Sequence, residues 1–179
     1  TFHYKAKDGM EQKFLKAAAV KTKKFNSDST NLIVTYRITT GDKSGVYERI
    51  MPFQTSKSYD RDASKEGKYW NDNVSPYANP DGGKQVWERL KWADVNVKPN
   101  DPPYKHLSKT TFIIKPTHRN HFGRWVERIG KVFAKRMPDA SRIVMKLHSG
   151  GQRNMYVSYI GFNEFENNNP ELETTWEED

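Results

Sequence analysis

The stretch SRIVMKLHSGGQRNMYVSYIGF, residues 141–162, places a polar turn with two glycines between two segments rich in β-branched and aromatic residues. Segments of this composition favour strands, and a short polar link containing glycine favours a hairpin. A phosphate-binding glycine loop would instead lead into the N-terminus of a helix. The stretch therefore predicts a hairpin of two strands, 141–148 and 155–162, and not a catalytic loop.

The residues before this hairpin extend the pattern. Residues 109–117 form another strand candidate, and the apolar residues from Phe122 to Phe133 recur at intervals of 3, 1, 3, 3 and 1. This spacing is typical of an amphipathic helix, for which Asn120 is the predicted N-cap. Residues 109–162 are thus predicted to fold in the order β-α-β-β.

The N-terminal part of the chain repeats this order. Strand candidates lie at 1–7, 30–40 and 46–53, and a helical stripe is formed by Met10, Phe14, Ala17, Ala18 and Phe25. A shift of 110 residues aligns Phe2 with Phe112 and brings the four elements into one register. We interpret the chain as two tandem copies of one unit.

The middle of the chain is less regular. Residues 55–84 are polar and rich in Tyr, Asn, Pro and Gly, which indicates a long loop or short-helix insertion. The segment KQVWERLKWADV, residues 84–95, predicts a helix of about three turns. The first repeat is therefore assigned to 1–108, with an insertion at about 55–84. The second repeat, 109–179, is shortened at its C-terminal end and closes with an acidic tail.

This element order resembles the dimeric α/β-barrel superfamily, in which ferredoxin-like units pair their sheets. The resemblance rests on order and repetition and covers most of the chain, without a signature motif. It implies an α+β fold of two tandem ferredoxin-like β-α-β-β repeats, forming a barrel-like antiparallel sheet with helices outside. The superfamily includes monooxygenases and haem-dependent enzymes, and its fold alone does not select among them.

Composition excludes several classes of protein. The chain of 179 residues has no cysteine, which rules out disulfides, thiolate metal sites and cysteine nucleophiles. No apolar stretch is long enough for a membrane helix. The first residue, Thr1, indicates either a mature form from which a signal peptide was removed or an artificially trimmed start, and the first of these, with an extracytoplasmic location, is slightly favoured.

The net charge of +8 is unevenly distributed. Residues 111–162 hold ten Lys and Arg against two acidic residues, whereas residues 163–179 hold seven acidic residues and no basic one. A basic body of this kind predicts either a solvated face or a surface for nucleic acid or another polyanion.

Candidate site residues are each open to two interpretations. His148 ends a predicted strand and is either a haem ligand or general base, or a polar strand end. His118 and His121, at a strand-to-helix corner, are either metal ligands or exposed side chains, and no metal is assigned. The other candidates either contact a ligand or have a structural role: Arg124 at the helix start, Lys146, Tyr156 and Tyr159 on mixed strand faces, and Trp70 in the insertion.

The functional prediction is small-molecule binding without an assigned reaction, by a monomer or homodimer. The first alternative is a monooxygenase-like or haem-binding enzyme of the same superfamily, with haem as the one candidate cofactor. The second alternative is nucleic-acid or polyanion binding. Nucleotide-binding, metalloprotease and serine-hydrolase motifs are absent from the sequence.

Overall fold

The strands pair in two separate four-stranded antiparallel sheets. The computed structural model describes residues 1–28, 30–98 and 102–165. The mixed α+β class is as predicted, but the strands described here do not close into a barrel. The chain divides into two units, Thr1–Lys84 and Gln85–Asp179.

The first unit has the element order β-α-β-β-α-β, with its sheet in the order β2-β3-β1-β4. Every neighbouring pair of strands in this sheet is antiparallel. The element bounds are β1 Phe2–Ala6, α1 Glu11–Phe25, β2 Val34–Arg37, β3 Val46–Ile50, α2 Ser64–Asn73 and β4 Ala78–Pro80.

The core of the first unit lies where α1 packs on the sheet. Phe14 and Ala18, four residues apart on the predicted stripe, are buried with Tyr47 of β3. Residues at this spacing lie on one face of a helix. Burying a side chain such as Phe14 contributes about 2–3 kcal/mol, which ties α1 to this face of the sheet. The periodicity that predicts α1 is thereby confirmed.

The insertion predicted at 55–84 supplies part of the fold of the first unit. Its helix, α2, ends in a segment that leads to β4, and β4 adds to the edge of the sheet beside β1. Val74 and Ala78, which follow α2, are buried in the same core as Phe14. The segment therefore contains the short helix that the sequence allows, and it also supplies an edge strand of the sheet.

The second unit has the sheet order β5-β7-β8-β6, again antiparallel throughout. Helix α3 precedes the long hairpin of β7 and β8. The element bounds are β5 Val86–Arg89, β6 His106–Ile113, α3 Arg119–Arg136, β7 Ser141–Ser149 and β8 Met155–Phe162.

The helix predicted over residues 84–95 is wrong. Residues Val86–Arg89 form β5, and Lys91–Ala93 form a single 3-10 turn. Trp87 pairs with Leu147 of β7, so backbone hydrogen bonds to a distant strand override the local helical spacing. Ala93 is buried against α3 in the resulting core.

Helix α3 agrees with the predicted amphipathic pattern. Val126 and Phe133 are buried, in two core clusters of the second unit. The helix begins at Arg119, with His118 at the N-cap position and no side-chain capping hydrogen bond. Asn120 therefore lies within the first turn, and its predicted capping role is wrong.

The hairpin of residues 141–162 is confirmed. β7 and β8 pair from Ser141 with Gly161 to Lys146 with Tyr156. Gly150 and Asn154 adopt positive φ angles of 87° and 59° in the turn. Glycine and asparagine tolerate this left-handed conformation best, which explains why the polar turn closes the hairpin here.

The acidic tail from residue 166 onward lies outside the described residues. Within the described part of the chain, no helix has both the length and the hydropathy needed to cross a membrane.

Candidate functional site

Trp70 lies on α2 and is half-buried against the helix-facing side of the first sheet. Its ring centre is 4.8 Å from that of Tyr4 on β1, and the two rings are tilted by 44°. The guanidinium carbon of Arg49 on β3 lies 4.8 Å from the Trp70 ring centre, and Lys21 Nζ on α1 lies 5.9 Å from it. We call Tyr4, Lys21, Arg49, Glu66 and Trp70 the Trp70 cluster.

Arg49 is buried, yet it has no carboxylate partner among the residues that the structure describes. Its Nη2 donates to Thr22 Oγ1 at 2.7 Å, and its Nε donates to Thr35 Oγ1 at 3.3 Å. Burial lowers the pKa of Arg49, and the neighbouring Tyr4 and Glu66 oppose this shift. A guanidinium has five N–H donors in a planar fork that matches a carboxylate. Two threonine hydroxyls, and no carboxylate, therefore accept hydrogen bonds from this guanidinium among the described residues.

Glu66 is the carboxylate of this cluster, and other cations occupy both of its oxygens. Lys21 Nζ donates to Glu66 Oε1, and Arg61 Nη2 donates to Oε2 at 2.9 Å. Burial raises the pKa of Glu66, but hydrogen bonds from Lys21 and Asn26 and the charges of Lys21 and Arg61 outweigh it and leave the pKa lowered. Glu66 is therefore ionised and already paired.

Lys21 is buried on α1, where its Nζ also donates to Asn26 Oδ1. Burial lowers the pKa of Lys21, and the charges of Arg49 and Arg61 add to this, against the opposing effect of Glu66. Three basic side chains thus surround one carboxylate. The cluster has an excess of positive charge in a half-buried, aromatic setting, where electrostatic interactions are stronger than in water.

A second polar group lies on the opposite face of the same sheet. His3, Glu48 and Tyr36 stand side by side on β1, β3 and β2. His3 Nε2 lies 3.4 Å from Glu48 Oε1, and both side chains are buried. Burial raises the pKa of Tyr36, so its phenol stays protonated. The row brings a protonated phenol, an imidazole and a carboxyl group together on this face of the sheet.

The structure brings together three of the predicted site residues at the start of α3. The rings of His118 and His121 have centres 6.0 Å apart, and Arg124 Nη2 lies 2.9 Å from His121 Nδ1. All three side chains are exposed. Among the residues that the structure describes, no group of three or more His, Asp or Glu side chains is arranged to hold a metal ion.

Tyr156, Lys146 and Tyr159 do not line one common surface. Tyr156 packs against Phe122 of α3, with ring centres 4.8 Å apart, and its strand partner is Lys146. Tyr159 lies three residues further along β8, on the other face, where Lys109 Nζ is 5.3 Å from its ring centre. These candidates from the mixed strand faces therefore lie on two sides of the sheet, with Lys146 and Tyr156 on one side and Tyr159 on the other.

His148 is exposed near the end of β7. An exposed imidazole at a strand end lacks the apolar surroundings that hold a porphyrin. The described residues around His148 therefore do not fit a haem site. A solvent-open depression of about 220 Å³ occurs elsewhere in the second unit, and none of the predicted site residues lines it; its lining includes Asn96, Tyr104, Asp139 and Asn163.

Trp70 is the one member of the Trp70 cluster that the sequence nominated. A signal for Lys21 was nevertheless present, because it lies seven residues after Phe14 and three after Ala18, on the apolar stripe of α1. Arg49 lies in VYERI, residues 46–50, where a charged side chain inside a buried strand needs a polar partner.

Comparison with models of known protein families finds no match to this sequence. A search of curated proteins likewise finds no significant similarity.

Proposed function

We propose that the first unit binds a small organic anion at the Trp70 cluster. The observation that carries this proposal is the environment of Arg49. Its guanidinium is buried against an indole ring and two threonine hydroxyls, whereas the nearby Glu66 is already paired with Lys21 and Arg61. A carboxylate ligand would supply the missing negative charge.

The aromatic members of the cluster favour an organic ligand over an inorganic ion. Tyr4 and Trp70 present ring surfaces beside the guanidinium. Burial raises the pKa of Tyr4, although the charge of Arg49 opposes the shift, so its phenol remains neutral and can donate a hydrogen bond. A site with apolar walls and a few convergent polar groups is typical of small-molecule binding.

The tandem ferredoxin-like interpretation remains part of the proposal. The β-α-β-β-α-β order of the first unit supports it. Its strands β2-β3-β1 correspond in order to β7-β8-β6 of the second unit, while the fourth strands, β4 and β5, join opposite edges. The monooxygenase-like activity that the resemblance implies stays a prediction, because the role proposed for the Trp70 cluster is binding alone.

Isothermal titration calorimetry with benzoate, benzamidine and acetate tests the binding proposal. Benzoate and benzamidine share a ring and differ in charge, whereas acetate carries the charge without the ring. We expect benzoate to bind most tightly and benzamidine not to bind. Arg49→Lys keeps the positive charge but loses the planar N–H donors that can bind a carboxylate through two hydrogen bonds. This variant should bind benzoate about tenfold more weakly.

The matched control is Arg37→Lys, which changes an exposed arginine of the same sheet. This variant should bind benzoate like the wild-type chain, and thermal melts should show that both variants are folded. Equal affinity for benzoate and benzamidine, or unchanged benzoate binding by folded Arg49→Lys, would contradict the proposal.

A further inference from the structure

The solvent face of α3 carries a line of basic side chains. Arg124, Arg128, Lys131 and Lys135 are spaced by four, three and four residues, and all four are exposed. At about 100° per residue, they fall within a sector of roughly 60°, and they span about 16 Å along the helix axis. We call these four residues the α3 basic stripe.

Little acidic charge offsets this stripe within its own helix. Helix α3 contains six Lys and Arg residues and a single acidic residue, Glu127. Glu127 Oε1 lies 3.5 Å from Lys131 Nζ, and both side chains are largely exposed. Such an exposed pair is weak and readily exchanged for another anion. Because all four side chains are exposed, the stripe presents a linear array of positive charge to solvent.

Trp125 stands at the edge of this array with 43% of its surface exposed. Its ring is stacked on Phe122 at 5.8 Å between centres and meets Phe112 edge-on at 5.5 Å. Phe122 in turn packs on the buried Tyr156. The contacts with Phe122 and Phe112 hold the indole in place, while part of its surface remains accessible. Trp125 directly follows Arg124 of the stripe in the helix.

We infer that the α3 basic stripe and Trp125 bind single-stranded nucleic acid. The stripe would contact successive phosphates, and the indole would stack on one unpaired base. Linear positive charge beside an accessible aromatic ring is the combination that single-stranded nucleic acid requires. A duplex keeps its bases stacked inside and offers none to Trp125, so the ring favours a single strand. This inference concerns the second unit and does not depend on the proposed anion site.

The test is fluorescence anisotropy of the full chain with a labelled twelve-nucleotide oligo(dT) at several salt concentrations. We expect binding at low salt, with the logarithm of the association constant falling linearly with the logarithm of salt concentration. Trp125→Ala should weaken binding about tenfold through lost stacking. Arg128→Gln combined with Lys131→Gln should reduce the salt slope by roughly 1.4, because each phosphate contact contributes about 0.7.

The matched control combines Lys13→Gln with Lys16→Gln, which removes two exposed charges from α1. This control should bind the oligonucleotide like the wild-type chain. Equal weakening by the control and the stripe variants would indicate a nonspecific charge effect and overturn the inference. So would unchanged binding by Trp125→Ala, tighter binding of the corresponding duplex, or binding of heparin or phosphatidylserine vesicles with no binding of oligo(dT).

Discussion

Arg49 and Trp70 lie in contact, with the guanidinium carbon 4.8 Å from the indole ring centre, although one belongs to β3 and the other to α2. The contact links the sheet to the helix of residues 64–73. Cation–π interactions between desolvated groups contribute about 1–2 kcal/mol. The pair therefore has a structural effect that can be measured independently of any ligand.

Arg49→Lys should lower the free energy of unfolding by about 2 kcal/mol. Lysine keeps the charge but loses the planar contact with Trp70 and the paired hydrogen bonds to Thr22 and Thr35, each of which contributes about 1 kcal/mol. Urea denaturation monitored by circular dichroism measures the change. Arg37→Lys, at an exposed position, should alter stability by less than about 0.5 kcal/mol. Similar values for the two variants would contradict the structural role of Arg49.

Glu66→Gln should destabilise the first unit by about 3 kcal/mol, because it leaves the buried ammonium of Lys21 without a carboxylate. The double variant Lys21→Met with Glu66→Leu should lose less free energy of unfolding than the sum of the losses in Lys21→Met and Glu66→Leu alone. Chemical denaturation of the wild-type chain, the two single variants and the double variant gives the coupling energy of the pair. The exposed pair Lys68 and Asp72 offers the control, since Asp72→Asn should cost no more than about 0.5 kcal/mol. Additive effects at Lys21 and Glu66 would show that the pair does not act as a unit.

The same pair predicts a dependence on acidic pH. The pKa of Glu66 is lower in the folded chain than in the unfolded chain, so its contribution is present above the ordinary carboxyl pKa. This stabilising contribution is lost as the pH falls through the pKa of Glu66 in the folded chain. The stability difference between the wild-type chain and Glu66→Gln should therefore shrink below about pH 4, as measured by urea denaturation from pH 3 to 7. A constant difference across that range would indicate that Glu66 does not act through its charge.

Local patterns predicted the elements whose partners lie nearby in sequence. The hairpin of 141–162 and the stripe of Phe14 and Ala18 follow from turn chemistry and helical periodicity, and both are found. Residues 84–95 show the limit of this approach. Their apolar spacing suits a helix, but pairing of Trp87 with Leu147, which no local pattern contains, makes a strand more stable.

The site was harder to predict than the fold for the same reason. Trp70 could be nominated from the sequence because it is a tryptophan within a polar segment. Arg49 and Lys21 could not, because their contacts are with residues on other elements. Charged residues within apolar runs are the usable signal, because each must find a partner when its segment is buried. Which partner each charged residue contacts depends on the order of strands in the sheet. That order cannot be deduced from the segments around Lys21 and Arg49 alone.

The raised pKa of Tyr47 predicts that the folded chain loses stability at alkaline pH. Burial, together with its hydrogen bond to Glu11 and the charge of that carboxylate, raises the pKa of Tyr47 to about 12. Because the folded value exceeds the unfolded one, the stabilisation is intact below about pH 10 and is lost progressively between pH 10 and 12. Tyr47→Phe should remove this part of the alkaline loss, about 1.4 kcal/mol at pH 11, in denaturation curves compared at pH 8 and 11. The exposed Tyr59 provides a control, since Tyr59→Phe should leave the alkaline loss as it is in the wild-type chain.

A side chain at position 161 should clash with the ring of Tyr104, and a substitution of Tyr104 should relieve the clash. A Cβ atom at this position would lie 2.4 Å from Cδ2 of Tyr104, and the ring of Tyr104 covers the glycine. Gly161→Ala should therefore destabilise the second unit by about 2 kcal/mol, since the ring or the strand must shift. Tyr104→Ser removes the ring, so adding Gly161→Ala to that background should cost less than in the wild-type chain. Thermal denaturation of the four proteins measures both effects. An equal cost of Gly161→Ala in the two backgrounds would place its effect in the backbone of β8 and not in the contact with Tyr104.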